Sequence, residues 1–255
     1  MRTVDLNADL GEGLADVDEA LMPLISSANI ACGLHAGSPD TIARTVALAV
    51  EHGVAVGAHP GYDDRQNFGR RPLDLTSTQI RELLIYQLGA INAIARAEGA
   101  ELRHIKPHGA LYNQAERDQR LATWIIDAIH AFDPALRVVG RADSAMQAAA
   151  AAVGHPFTAE AFADRRYRPD GSLLPRSEPD SVLVDPERVA EQVRSLVTDG
   201  EILASDGSRV RVTFQSLCLH GDTPGAPALA ARVRQELEAL DVRVCAPSGD
   251  SSKSQ

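Results

Sequence analysis

The chain has 255 residues, 44% of them hydrophobic and 24% charged, with a formal net charge of −10. This composition excludes a disordered chain, and the length suits one large domain; a single β/α barrel takes about 250 residues. The acidic balance argues against sequence-independent binding to nucleic acid, no run reaches the roughly 18–20 apolar residues of a membrane span, and a carboxylate at position 5 speaks against a signal peptide.

In chain order, TVDLNADL reads as the first strand and residues 18–24 as a weak helical segment. SANIACG is the second strand. A helix over 39–52 follows, with Ser38 as N-cap, Pro39 in first position, Asp40 complementing the dipole and Gly53 closing it. VAVGA is the third strand. The long segment 59–75 carries GYDD and FGRR; loops of this length are functional or disordered. Thr76 and Gln79 are spaced as a capping box for a helix that starts near Thr78 and runs to Gly99. LRHIKP is the fourth strand, 121–132 a helix, LRVVG the fifth strand and 143–153 an Ala-rich helix. PFTAEAFAD is the sixth strand, followed by an irregular stretch over 165–184. DPERVAEQVRSLV is a helix with Asp185 as cap and Pro186 in first position. ILASDGSRVRV reads as a hairpin about Asp206-Gly207. FQSLCLH is the seventh strand, PALAARVRQELEAL the last helix and VRVC a short closing strand. Such alternation implies an α/β fold with a parallel sheet, either closed as a barrel or open and doubly wound; periodicity alone does not separate the two. No composition shift marks a second domain. Residues 1–247 read as one domain and 248–255 as a polar, disordered tail.

Polar residues gather at the strand ends. Asn7, Asp9 and Glu12 end the first strand, Asn29 and His35 follow the second and His59 the third. Lys106 and His108 end the fourth, Glu160 and Asp164 belong to the sixth, and His220 and Asp222 follow the seventh. In a parallel barrel these ends share one rim, so the residues would converge there. Lys106 stands out: of 25 basic residues only it and Lys253 are lysine. Glu160 lies in an apolar run, so it is expected to be buried and paired, with Arg165 or Lys106 as candidate partners. A structural ion pair and a tuned acid or base fit it equally. His59 beside a turn and Asp9 before Gly11 also have purely structural readings. His52, His104, His130 and His155 read as structural or surface residues. Cys32 and Cys218 read as small buried hydrophobes, and the odd count of three cysteines points to reduced thiols in a cytoplasm. Gly109 ends a Gly-bearing turn whose N–H could hold an anion, and Arg70 and Arg71 could clamp a carboxylate or phosphate. No P-loop, G-x-G-x-x-G or C-x-x-C occurs, so ATP chemistry would need an unconventional site or another chain.

DLNADLGEG, SANIACGLHAG, GAHPGYDD with FGRR, KPHGALYN, EAFADRRY and CLHGDTPGA together resemble the LamB/YcsF family, the A subunits of 5-oxoprolinase, over residues 5–227. One departure is Ala8, where that family usually has Cys; a thiol there cannot be essential. The resemblance implies an irregular, about seven-stranded β/α barrel of the glycoside hydrolase/deacetylase type. It also implies ATP-dependent opening of 5-oxo-L-proline to L-glutamate, and a complex with subunits B and C (PxpB and PxpC), which would carry most of the ATP site. Such a reaction needs a base for water, donors for developing negative charge and an anion clamp. Asp9 or Glu160 could be the base. Lys106, His108 and the Gly109 N–H could stabilise charge, His35, His59 and His220 could move protons, and Arg70 and Arg71 could close over substrate. Asn7, Glu12 and Asn29 are candidate substrate contacts. Asp9, His35, His59 and His108 also form a donor set for a divalent metal, to which the sequence does not commit. Two other readings remain: a free-standing metal-dependent amidohydrolase or deacetylase, and a non-catalytic chain that binds a small carboxylate. A purely structural barrel leaves too many polar strand ends without a task.

Overall fold

The computed structural model describes residues 2–247; the tail expected over 248–255 lies outside them. Strand β1 (Arg2–Leu10) is followed by α1 (Ala15–Leu21), which tightens into a single 3₁₀ turn at Met22–Leu24. Pro23 has no N–H to continue the α-helical ladder, so the α-helix ends at Leu21 rather than at residue 24 as the sequence pattern indicates, and it starts at Ala15, earlier than residue 18. Then come β2 (Ser27–Ala31), α2 (Pro39–Glu51), β3 (Ala55–His59), α3 (Ser77–Ala97) and β4 (Leu102–Ile105). Ser38 caps α2 by accepting from the Thr41 N–H, and Thr76 and Gln79 form the full capping box of α3.

Next is a helix absent from the sequence reading, α4 (Gly109–Ala115). It has only seven residues and no side-chain cap, so it lacks both a start signal and periodicity. The chain continues through α5 (Gln119–Phe132), β5 (Arg137–Arg141), α6 (Ala145–Ala152) and β6 (Phe157–Phe162). An irregular stretch leads to α7 (Pro186–Asp199), the hairpin β7 (Glu201–Leu203) and β8 (Arg209–Arg211), then β9 (Ser216–His220), α8 (Ala226–Ala239) and β10 (Val242–Val244). No described helix is long and apolar enough to cross a membrane.

Neighbouring strands from β1 to β6 pair in parallel, β6 pairs with β9, and β9 pairs with β1, which closes a seven-stranded barrel. Closure resolves what periodicity left open. The final strand, β10, takes no part in it; it adds to the outer end of β1, with Arg2 opposite Val242. The hairpin β7–β8 is antiparallel and separate from the barrel.

Side chains alternate along β1. Leu6, Ala8 and Leu10 face the helices and join the apolar cluster, whereas Asp5, Asn7 and Asp9 bond to side chains of β2 and β9 and to Lys106, just past β4, across the barrel. Ala8 therefore lies on the helix side, away from the polar interior. Helix α3 buries Ile80, Leu84, Leu88, Ile91 and Ala95, one stripe at helical spacing. Each of the Ile and Leu side chains contributes about 1.5–3 kcal/mol. Gln87 is the polar exception on that stripe. Fully buried, it pairs with both the N–H (3.0 Å) and the C=O (2.9 Å) of Gly61 and so anchors the loop at 59–75 over the rim.

Candidate functional site

The lowest layer inside the barrel is uncharged or hydrogen-bonded. Asp5 accepts from Ser26 and Ser27, each at 2.7 Å, and from Ser216. Burial pushes its carboxyl up despite those bonds. Asn7 donates to the Ser216 hydroxyl at 2.7 Å, and Asn29 donates to Asn7 at 2.7 Å and Asp9 at 2.8 Å. His104 closes the layer with a 2.8 Å bond to Asn29. Burial, then the Lys106 charge, pushes its imidazole down to about 3, so it is a neutral structural group.

Above this floor stands Lys106. Its ammonium is 3.1 Å from Asp9 and 3.1 Å from Glu160, and it donates to the Cys218 sulfur at 2.9 Å. Burial alone would lower its pKa, but Asp9, Cys218 and Glu160 hold it well above the ordinary lysine value. Burial likewise favours a neutral Asp9, yet the neighbouring His59 and the Lys106 ammonium win and hold that carboxyl well below its usual range. Lys106 is thus Glu160's partner. Arg165, the other candidate, donates instead to the carbonyls of Ser181 and Leu174. Glu160 Oε1 is buried with no partner among the described residues. Cys218 departs from the sequence reading: it is buried, but it touches the lysine rather than packing only as a hydrophobe.

Three histidines meet beside this pair. His59 Nδ1 lies 2.7 Å from the Lys106 carbonyl, and His108 Nε2 lies 2.8 Å from the Phe68 carbonyl. A carbonyl only accepts, so those two nitrogens carry the protons. The opposite nitrogens, His59 Nε2 and His108 Nδ1, face each other at 2.9 Å. His35 stacks on His108 with centroids 3.8 Å apart, and its Nε2 is 3.2 Å from Glu12. Glu12 Oε1 also lies 3.4 Å from His108 Nδ1. Gly69 lets the backbone pass this close: a Cβ there would sit 2.8 Å from His35 and 2.9 Å from His108. The carboxylate that completes the histidine set is therefore Glu12. Asp9 lies 3.4 Å from His59 but belongs chiefly to the lysine.

A cavity of about 330 Å³ opens above Asp9, His59, Lys106, His108 and His220, with Tyr112, Phe162, Leu173 and Leu174 on its walls. His220 is held by Asp164, which accepts from its Nδ1 at 3.0 Å and from Thr223 at 2.6 Å. At the mouth, Arg70 and Arg176 both pair with Asp222, the latter at 3.2 Å. Two guanidiniums share one carboxylate, which leaves a positive surplus there. Arg71 takes no part; its side chain is 63% exposed and reaches toward Asp64 at 3.7 Å. Arg176 stands where the sequence reading placed Arg71, but it comes from the irregular stretch, where no pattern distinguished one arginine from another. Gly109 lines the cavity with φ +53, and a Cβ there would meet the Gly69 carbonyl at 2.7 Å. Asn7 and Asn29 are fully buried beneath the cavity, as supports for Asp9 and Lys106.

Comparison with known proteins places the fold and the family. A solved structure described as a lactam utilization protein from Thermus thermophilus superposes with a TM-score of 0.90 at 44% identity, over 96% of this chain and all of that one. The catalytic domain of a peptidoglycan N-acetylglucosamine deacetylase from Eubacterium rectale shares the fold alone, with a TM-score of 0.52 at 12% identity over all of this chain and 91% of that one. The chain is 50% identical to the A subunit of 5-oxoprolinase from Methylococcus capsulatus, over 97% of each sequence. The model of the LamB/YcsF family matches residues 4–252, and the chain belongs to that family.

Proposed function

We propose that this chain is the A subunit of an ATP-dependent 5-oxoprolinase and that its rim cavity opens the activated lactam. The observation that carries this reading is Lys106, the one lysine of the described residues, held between Asp9 and Glu160 under a cavity whose mouth is cationic. A volume of about 330 Å³ is at the small end for ligand pockets, fit for a compact substrate and not for a nucleotide beside it. ATP is therefore assigned to the partner subunits B and C, in a cytoplasm that keeps the three free thiols reduced.

Phosphoryl transfer from ATP to the lactam oxygen releases ADP and leaves C5 electrophilic. Water adds at C5 and gives its proton to Asp9. Lys106 stabilises the negative charge of the tetrahedral centre, a role worth about 10²–10³ in rate for a single donor. The C5–N bond then breaks, and the nitrogen takes a proton from His220, which Asp164 orients. A second water releases phosphate from the resulting acyl phosphate to give glutamate. Arg70 and Arg176 receive the substrate carboxylate by exchanging it against Asp222.

The test is glutamate release from 5-oxoproline, with and without ATP, by the chain alone and by the chain assembled with subunits B and C. ATP-dependent release by the assembly alone is expected. Release by the lone chain without ATP would overturn the reading in favour of a free-standing amidohydrolase.

A further inference from the structure

We propose that Glu12, His35, His59 and His108 form a binding site for one first-row divalent transition-metal ion of the zinc type. The argument starts from protons. His59 and His108 spend their N–H groups on the Lys106 and Phe68 carbonyls, so His59 Nε2 and His108 Nδ1 meet as two lone pairs 2.9 Å apart. Two lone pairs at that distance repel unless an electropositive centre lies between them or beside both. Glu12 brings a carboxylate oxygen to the same point, 3.4 Å from His108 and 3.9 Å from His59. His35 Nε2 is 3.2 Å from that oxygen; its Nδ1 has no partner among the described residues, so the proton that now faces Glu12 can move to Nδ1 when an ion takes its place.

The spacing is that of ligands around an ion. With metal–ligand bonds of about 2.1 Å, two ligands are about 3.0 Å apart at a right angle and about 3.4 Å apart at a tetrahedral angle. One donor atom from each of the four residues lies within 4.8 Å of all the others. Three imidazoles and one carboxylate suit zinc, iron, cobalt or nickel better than the all-oxygen preference of magnesium or calcium. Supporting contacts are also in place. The Lys106 and Phe68 carbonyls fix the two rings from behind, as outer partners of ligating histidines do, and Gly69 leaves room for His35 to stack on His108. An entry path exists: Glu12 and His35 line an open cleft with Gly13, Ser38, Thr41 and Phe68.

This site does not depend on the ring-opening reading, and its test uses neither substrate nor ATP. The purified full chain is stripped with a chelator, then titrated with Zn²⁺ by calorimetry and with Co²⁺ by visible absorption. Saturable binding of one equivalent is expected, with ligand-field bands for Co²⁺ and a rise in melting temperature with Zn²⁺. Glu12→Gln and His108→Ala should each weaken binding by about tenfold or more, whereas His130→Ala, in a separate histidine pair with His155, should leave it unchanged. Absence of one-to-one binding of either ion by the wild-type chain would overturn the proposal, and would mean that the two facing nitrogens share a proton. Full binding in folded Glu12→Gln and His108→Ala would overturn it as well.

Discussion

Replacing Lys106 by Met keeps most of the length of the side chain and removes its charge and donors. The lysine is 2% exposed and its ammonium lies 3.1 Å from each of two carboxylates, Asp9 and Glu160, themselves 7% and 0% exposed. Its loss leaves those carboxylates facing each other without a cation, and breaking a buried pair in this way costs about 3–5 kcal/mol. That is a large share of the roughly 5–15 kcal/mol that holds a domain folded. The pH dependence carries the sharper signature. In the wild type the Asp9 carboxyl is held below its ordinary value, so its stabilising contribution is present above that value and lost as pH falls through the depressed one. Without Lys106, burial is opposed by fewer charges and the carboxyl moves up. Stability of the variant should then rise, relative to wild type, as pH is lowered from about 8 to about 5. Denaturant titrations across that range measure it, and Lys106→Met/Glu160→Gln, which removes one of the two stranded charges, should recover much of the loss. A Lys106→Met protein with a wild-type midpoint at every pH would refute the buried triad as a charged unit.

Three further predictions rest on single contacts. Asp18 accepts from the Gly11 N–H at 2.9 Å, and burial pushes its carboxyl from 3.8 up to about 6. A raised carboxyl stabilises below its ordinary value and loses that contribution as pH rises through about 6, so Asp18→Asn should be neutral in acid and stabilising at pH 8. The gain is at most about 3 kcal/mol and is read from thermal melts at the two pH values. Gly109→Ala places a Cβ 2.7 Å from the Gly69 carbonyl at φ +53; a loss of about 1–3 kcal/mol and impaired turnover are expected, checked by calorimetry and assay of the assembled enzyme. Arg176→Ala should raise KM for the anionic substrate by about 10–100-fold, the worth of a charge-assisted hydrogen bond, while Arg71→Ala leaves KM unchanged; equal effects would refute the clamp.

What could be read from the sequence follows the physics of locality. Strands with alternating or continuous apolar runs, and helices with a cap such as Thr76 with Gln79, announce themselves within a few residues. Lys106 and Glu160 were also legible, because charge in an apolar run demands a partner. Helix α4 was not, because its start depends on Gly109 lying against Gly69, a contact between loops far apart in the chain. For the same reason the choice of Glu12 over Asp9 beside the histidines, of Arg176 over Arg71 at the mouth, and of Cys218 beside the lysine appeared only in three dimensions. Each is settled by which loop folds over the rim, and Gln87 gripping Gly61 sets one of those loops.

The barrel interior explains why the site is built so deep. In most such barrels the interior is filled by branched apolar side chains; here β1 alone sends Asp5, Asn7 and Asp9 inward. A polar stack of this kind folds only if nearly every donor finds an acceptor, since an unmet buried group costs about 1–3 kcal/mol. The lower layers meet that condition through Ser26, Ser27, Ser216, Asn29 and His104. The exceptions come higher up: Glu160 Oε1 behind Lys106, His35 Nδ1 beside Glu12, and the hydroxyl of Tyr112 on the cavity wall are buried and unpartnered among the described residues. Burial, then the Glu160 charge, holds Tyr112 well above its ordinary pKa, so it remains a phenol able to donate. A substrate with a carbonyl or phosphoryl oxygen to receive can satisfy the Tyr112 hydroxyl, and the cost of leaving it unmet becomes part of the affinity for that substrate.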